Sequence, residues 1–158
     1  MFKKQPLPTD LIGDKTVKSD ERIDFFGEVD ELSAMIMEYT HFEKDEKLVL
    51  QLRKIVNILS IALAETAGGM GKVGSLHLSE LIELVESYNQ KAGAFNCFVL
   101  PGETLMGAKL HVLRTVTRRV ERAYARVYEK YGGSEIIFEY LNKLSSLFFA
   151  LARIYDEN

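Results

Sequence analysis

The chain has no tryptophan, one cysteine and three prolines among its 158 residues. A lone Cys97 excludes an internal disulfide framework and suits a reducing compartment. Pro6 and Pro8 make the N-terminal stretch extended, and between Pro8 and Pro101 no further proline interrupts a helix. There is no excess of either charge: 20 basic against 23 acidic residues give a net charge of -3. That balance excludes the broad basic face needed for sequence-independent nucleic-acid binding. No apolar run approaches the ~20 residues of a membrane span. The opening MFKKQPLPTD has a basic pair but no apolar core behind it, so it does not read as a secretory signal. Period-2 alternation and hairpin dipeptides are scarce, which argues against a sheet. These absences describe a cytosolic protein with neither a nucleic-acid nor a membrane partner.

What is present is helical periodicity. Five helical segments emerge. Phe25 to Tyr39 places Phe26, Val29, Leu32, Ile36 and Tyr39 on one face, and Lys44 to Ala67 does the same with Leu48, Leu52, Ile55, Ile58, Ala62 and Leu63. Ser79 caps a short helix to about Gln90. Glu103 to Tyr131 presents Leu113, Val116, Val120, Ala123 and Val127 and stops at Gly132-Gly133. A last helix from Ser134 to about Tyr155 is apolar almost all round, as a helix buried in a bundle or between subunits must be. The pattern predicts an all-α five-helix bundle forming one domain over 1–158. Residues 1–24 are an extended N-terminal segment, and the last two helices lie at the centre.

The polar residues are more selective. Arg114, Arg118 and Arg122 recur every fourth residue and share one helix face, with Arg119 beside them. Arginine's planar fork suits phosphate and carboxylate. From the residues alone, the column is a polyanion site, half of a salt-bridged subunit contact, or a solvated face paired with acids such as Glu121. Asn142 stands in the most apolar helix, where a buried amide needs partners. Two metal and phosphate patterns fail. GGMGKVG at 68–74 lacks the hydroxyl residue after Gly-Lys that a P-loop requires. Glu38 and His41 supply one Glu-x-x-His where a di-iron bundle needs two, so no metal site is assigned.

Three blocks, in order along the chain, resemble the ATP:corrinoid adenosyltransferases of the propanediol-utilisation type. They are KSDERIDFFGEVDEL at 18–32, FVLPGETLMGAKLHVLRTVTRRVER at 98–122 and YLNKLSSLFFALAR at 140–153. The resemblance implies transfer of the 5′-deoxyadenosyl group from ATP to cob(I)alamin, with ATP, Mg²⁺ and cobalamin as the participating molecules and a homotrimer with sites between subunits. It gives Arg118 and Phe98 the catalytic positions and Lys18, Arg22, Arg118 and Asn142 the ATP contacts. Phe98 would lie under the corrin ring, and Arg114 would form a salt bridge to Asp30 across a subunit boundary.

The departures are also specific. The family's glycine- and threonine-rich phosphate loop has no counterpart in MFKKQPLPTDLIGDK, its Pro-Gly-Gly is Pro101-Gly102-Glu103, and its Leu-Ser-Asp is Leu144-Ser145-Ser146. Two alternatives therefore stand beside the enzyme. One is a catalytically impaired paralogue that keeps the trimeric bundle and a corrinoid pocket. The other is a ligand-free helical interaction module.

Overall fold

The computed structural model describes residues 8–11, 14–94 and 100–157. Two short strands, β1 (Pro8–Leu11) and β2 (Asp14–Val17), precede five helices. These are α1 (Glu21–Thr40), α2 (Glu46–Thr66), α3 (Ser75–Ala92), α4 (Leu105–Tyr131) and α5 (Glu135–Asp156). The strands pair antiparallel, Pro8 opposite Val17 and Leu11 opposite Asp14. Strands this short leave too little alternation to be read in a sequence, which is why the hairpin was not expected.

Helix boundaries follow from local capping. Asp20 accepts the Arg22 N–H at 2.9 Å, and Glu21 and Asp24 place negative charge in the first turn. A cap and an acidic first turn both stabilise a helix N-terminus. Helix α1 therefore starts before Phe25, where apolar periodicity alone would begin it, and residues 21–24 are helical rather than extended. Its core register uses Phe25, fully buried, in place of Phe26. Asp45 caps α2 through the N–H groups of Lys47 and Leu48. Helix α3 begins at Ser75, not at Ser79. Its N-cap is Gly74, whose N–H donates to Nδ1 of His77 at 3.1 Å. Helix α4 ends where Gly132 adopts φ 74°, a conformation that costs glycine least.

The packing is layered around the last two helices. Helix α5 lies along α4 and α3, α4 also carries α1, and α1 carries α2. Ile137, Tyr140, Leu141, Leu144, Leu147, Phe148 and Leu151 of α5 are all buried, and they meet Leu113, Val116, Val120 and Val127 of α4 in one core. A Lys54–Glu80 ion pair of 2.7 Å links α2 to α3 at the surface. At the end of α1, the Glu43 carboxylate accepts the hydroxyls of Tyr39 and Tyr155 and the N–H groups of Lys44 and Asp45. Burial alone would raise its pKa, but these donors hold it below the usual value. The α1–α2 turn is thereby fastened to α5.

A fully buried leucine in this core should be costly to truncate. Leu144→Ala is expected to lower the unfolding free energy by ~2–5 kcal/mol. The exposed Leu76→Ala should change it by no more than ~0.5 kcal/mol. Urea denaturation of both variants checks this.

Candidate functional site

Two groups of polar side chains stand out from the apolar bundle. The first is at the junction of β2 and α1. Asp20 is almost fully buried and accepts four side-chain donors. Arg22 approaches through Nε at 2.9 Å and Nη2 at 2.8 Å, Thr16 through Oγ1 at 2.7 Å and Tyr131 through its hydroxyl at 2.8 Å. The Arg22 fork beside it, with the Thr16 and Tyr131 hydroxyls, holds the Asp20 carboxyl far below the usual carboxylate range against the opposing effect of burial. The Arg22 guanidinium also lies 4.2 Å from the centre of the Tyr131 ring, a distance at which cation–π attraction contributes. Hairpin, α1 and the last turn of α4 are thus joined at one carboxylate. Arg22, predicted as an ATP contact, spends its fork on this junction. Lys18 is exposed on the turn just before it. Beside the junction opens a 640 Å³ cleft between the α2–α3 and α4–α5 connections, with Arg22 and Lys72 on its walls.

The second group lies on the outer face of α4 and α5. Arg118 and Arg122 are exposed, and no ion pair joins either of them to a described residue. Arg119, one position off the column, is the arginine that pairs within the chain, with Glu28 and Glu31 of α1. Glu121 takes a hydrogen bond from the Asn142 amide at 3.1 Å. Asn142 is exposed, which corrects the expectation of a buried amide. Helix α5 is buried on most of its circumference, but Asn142 and Lys143 fall on its remaining open strip.

Arg114 is half-buried, with its guanidinium 6.0 Å from the centre of the Phe149 ring. Its Nε is buried and has no hydrogen-bond partner, as is Nδ1 of His111 one turn earlier. Burial and the neighbouring Arg114 charge lower the His111 pKa, against the pull of Asp156. Asp30 is exposed on α1, and no ion pair within the chain connects it to Arg114. Phe98 lies outside the described residues.

The predicted ATP contacts are therefore not gathered in one chain. Arg22 touches Tyr131 at the end of α4, and Arg118 sits more than three turns earlier on the same helix, ~20 Å away along its axis. Arg118 and Asn142 share a face; Lys18 and Arg22 belong to the far end. Sequence reading missed Asp20 and Tyr131 as the anchors of that end. An aspartate directly before an acidic first turn is a cap signal that could have found Asp20. Nothing in the sequence marks Tyr131 as its partner 111 positions on.

Comparison with known proteins bears on this arrangement. A family model described as cobalamin adenosyltransferase matches residues 8–155. A corrinoid adenosyltransferase of Mycobacterium leprae is 32% identical over 154 residues, spanning 89% of this chain and 81% of the relative. One from Bacillus subtilis is 30% identical over 160 residues, spanning 94% and 81%. Among solved structures, a variant of a PduO-type ATP:corrinoid adenosyltransferase from Lactobacillus reuteri, complexed with cobalamin and ATP, matches with a TM-score of 0.87 and 28% identity. It covers 95% of this chain and 88% of that one.

The Asp20 junction makes a pH prediction. A carboxyl with a lowered folded-state pKa contributes stability at pH above its unfolded value of ~3.9, and that contribution is lost as pH falls toward the folded value. Asp20→Asn should flatten the acid limb of the stability profile. At neutral pH it should cost ~1.5–3 kcal/mol, the scale of hydrogen bonds to a charged group. Thermal melts of wild type and variant between pH 3 and pH 7 measure both effects.

Proposed function

The chain belongs to the cobalamin adenosyltransferase family, and from that premise we propose that it moves the 5′-deoxyadenosyl group of ATP onto the cobalt of a reduced corrinoid. The cobalt(I) electron pair attacks the ribose C5′. A cobalt–carbon bond forms as the carbon–oxygen bond to the triphosphate breaks, and triphosphate leaves with that bond's electrons. No proton has to be taken from a nucleophile, so no general base is required. The work left to the protein is orientation, charge stabilisation on the leaving group, and exclusion of water.

The observation that carries this reading is Arg118: an exposed guanidinium without an acidic partner among the described residues, beside the Glu121–Asn142 pair. A fork so placed suits the oxygens of a triphosphate. Asn142, on the open strip of α5, is the neighbouring polar contact. Lys18 lies on the turn before the Asp20 junction, at the Tyr131 end of α4, whereas Arg118 sits ~20 Å from Tyr131 along that helix, so the two belong to opposite ends of the α4 face within one copy. We therefore place the complete nucleotide site between copies of the chain, Lys18 from one and Arg118 with Asn142 from the next, in a homotrimer. The orphaned Nε of Arg114 and the exposed Asp30 fit the same arrangement, with the salt bridge formed across the boundary. Arg22 contributes by fixing the segment that carries Lys18. Mg²⁺ comes with the triphosphate in this reading, stabilising the leaving group together with the basic side chains. Phe98 would pack under the corrin and keep the lower axial ligand of cobalt away, which eases reduction to cobalt(I). No described helix is long and apolar enough to cross a membrane, and we assign the protein to the cytoplasm, acting as one domain.

One observation favours weak nucleotide binding. Residues 8–11 and 14–17 are extended and paired with each other, not in the turn conformation that gathers successive N–H groups into a phosphate nest. Nucleotide affinity should be lower than corrinoid affinity. Calorimetric titration with Mg-ATP and with cob(II)alamin separates the outcomes. Corrinoid binding without ATP binding selects the impaired paralogue, and binding of neither selects the interaction module.

In the same titrations, Arg118→Ala should abolish ATP binding, and Phe98→Ala should leave it intact while impairing the corrinoid step. ATP affinity insensitive to Arg118→Ala would show that the phosphates lie elsewhere. Removing one partner of a buried pair costs ~3–5 kcal/mol. Arg114→Ala should accordingly shift the assembly toward smaller species in sedimentation, and a variant sedimenting and melting like wild type would exclude the cross-boundary pair.

A further inference from the structure

Glu121 is a carboxylate set among arginines, and it pairs with none of them. It stands three residues after Arg118, a spacing that brings side chains together on a helix. No ion pair joins the two among the described residues. The Glu121 carboxylate turns across to α5 instead and accepts the Asn142 amide at 3.1 Å. A carboxylate only accepts hydrogen bonds, so the nitrogen of that amide must face it. The carbonyl Oδ1 of Asn142 is thereby fixed on the other side of the amide, as a second acceptor. The Ser146 hydroxyl, one turn on, donates to the Asn142 backbone carbonyl at 3.3 Å and leaves the side-chain amide alone. Together Glu121 and Asn142 offer a carboxylate oxygen, Oε2, a carbonyl oxygen and one further amide N–H. The pair borders the open strip of α5: Asn142 is exposed and Glu121 is half-buried.

Two acceptors and a negative charge are a poor place for phosphate, whose oxygens also accept. They match a vicinal diol, which has two protons to give and oxygens to take the remaining N–H. A nucleotide carries one such diol, the 2′- and 3′-hydroxyls of its ribose. A carboxylate takes the ribose 2′-hydroxyl in dinucleotide-binding folds as well. We propose that Glu121 and Asn142 form the ribose subsite and select ribonucleotides over deoxyribonucleotides. Glu121 holds the amide in register and accepts one hydroxyl, and Oδ1 of Asn142 accepts the other. Arg118, one turn earlier, keeps the triphosphate, and the Glu121 charge turns it away from α5. This deepens the adenosyltransferase reading above and rests on it. Holding the ring by its diol also fixes the C5′ that the cobalt attacks. A site built to bond a hydroxyl rejects the analogue lacking it, because its own polar groups are then left unpaired.

The test titrates the full-length protein, in Mg²⁺, with ATP, its 2′-deoxy and 3′-deoxy analogues and inorganic triphosphate. Wild type should bind ATP about ten- to hundredfold more tightly than either analogue, the range for one hydrogen bond to a charged group. Glu121→Ala should bring that ratio below about threefold by weakening ATP and not the analogues. Its affinity for inorganic triphosphate should stay within about twofold or tighten, since a negative charge has gone. Glu121→Gln, which keeps an acceptor but not the charge, should retain part of the preference. Asn142→Ala should lower the ratio in the same way, and it serves should the Glu121 variants fail to fold. Arg118→Ala should lose inorganic triphosphate, which separates the phosphate contact from the ribose contact. A merely structural Glu121 would weaken ATP, both analogues and triphosphate together in Glu121→Ala, and that outcome overturns the proposal. Equal binding of ATP and both analogues by wild type overturns it too, as does a wild-type ratio retained in Glu121→Ala. A wild-type protein that binds neither ATP nor inorganic triphosphate refutes the adenosyltransferase reading itself, and the ribose subsite falls with it.

Discussion

The burial of α5 is the constraint on which the rest of the molecule depends. Its apolar side chains point in too many directions for one neighbour to cover, so α4 and α3 must both lie against it, and α1 with α2 is then brought in along α4. Burying a leucine or phenylalanine side chain contributes ~1.5–3 kcal/mol, and α5 offers several. Only a narrow strip of the helix reaches solvent, and the polar residues on that strip inherit a fixed position. Asn142 is held opposite Glu121 because Leu141 and Leu144 on either side have nowhere else to go.

The same economy explains how charge is distributed. Surface pairs such as Lys54–Glu80 join helices already held by the core, and pairs of that kind contribute little. The carboxylates that organise backbone are different. Asp20, Glu43 and Asp156 each collect several donors at a place where chain direction changes: before α1, after α1 and before α4. Each is tied to an element distant in sequence, so the turns are defined by tertiary contacts rather than by turn chemistry alone.

That distinction sets how much could be read from the sequence. For α3 the sequence marks a cap at Ser79, whereas its cap is Gly74. Helices α1, α2 and α4 show in their 3-4 periodicity because each has one apolar face, and α5 shows by having almost no polar one. The arginine column was visible for the same reason, since spacing fixes which residues share a face. The hairpin was not, because four residues per strand carry no statistical weight and its position depends on pairing. Asn142 was misjudged as buried because composition gives the character of a helix, while the few degrees of its open strip depend on neighbours. Arg153 and Asp156 sit in a sequence that reads as an ordinary charged helix end; their partners at Ala92–Ala94 and Gly102–Thr104 come together only in three dimensions. Periodicity reports what a segment buries, not which distant backbone its last turn will meet.

Helix α4 runs without interruption from Leu105 to Tyr131, and that continuity makes it a ruler. The Asp156-bound end, the arginine column and the Asp20-bound end are marks on one rigid rod. Inserting or deleting a single residue within it would turn everything beyond by ~100° and shift it by ~1.5 Å, carrying Arg118 off its face or Tyr131 away from Asp20. Length variation in this lineage should therefore collect in the connections, such as the glycine-rich 68–74 segment, while the span between Gly102 and Gly132 keeps its residue count even where its side chains change.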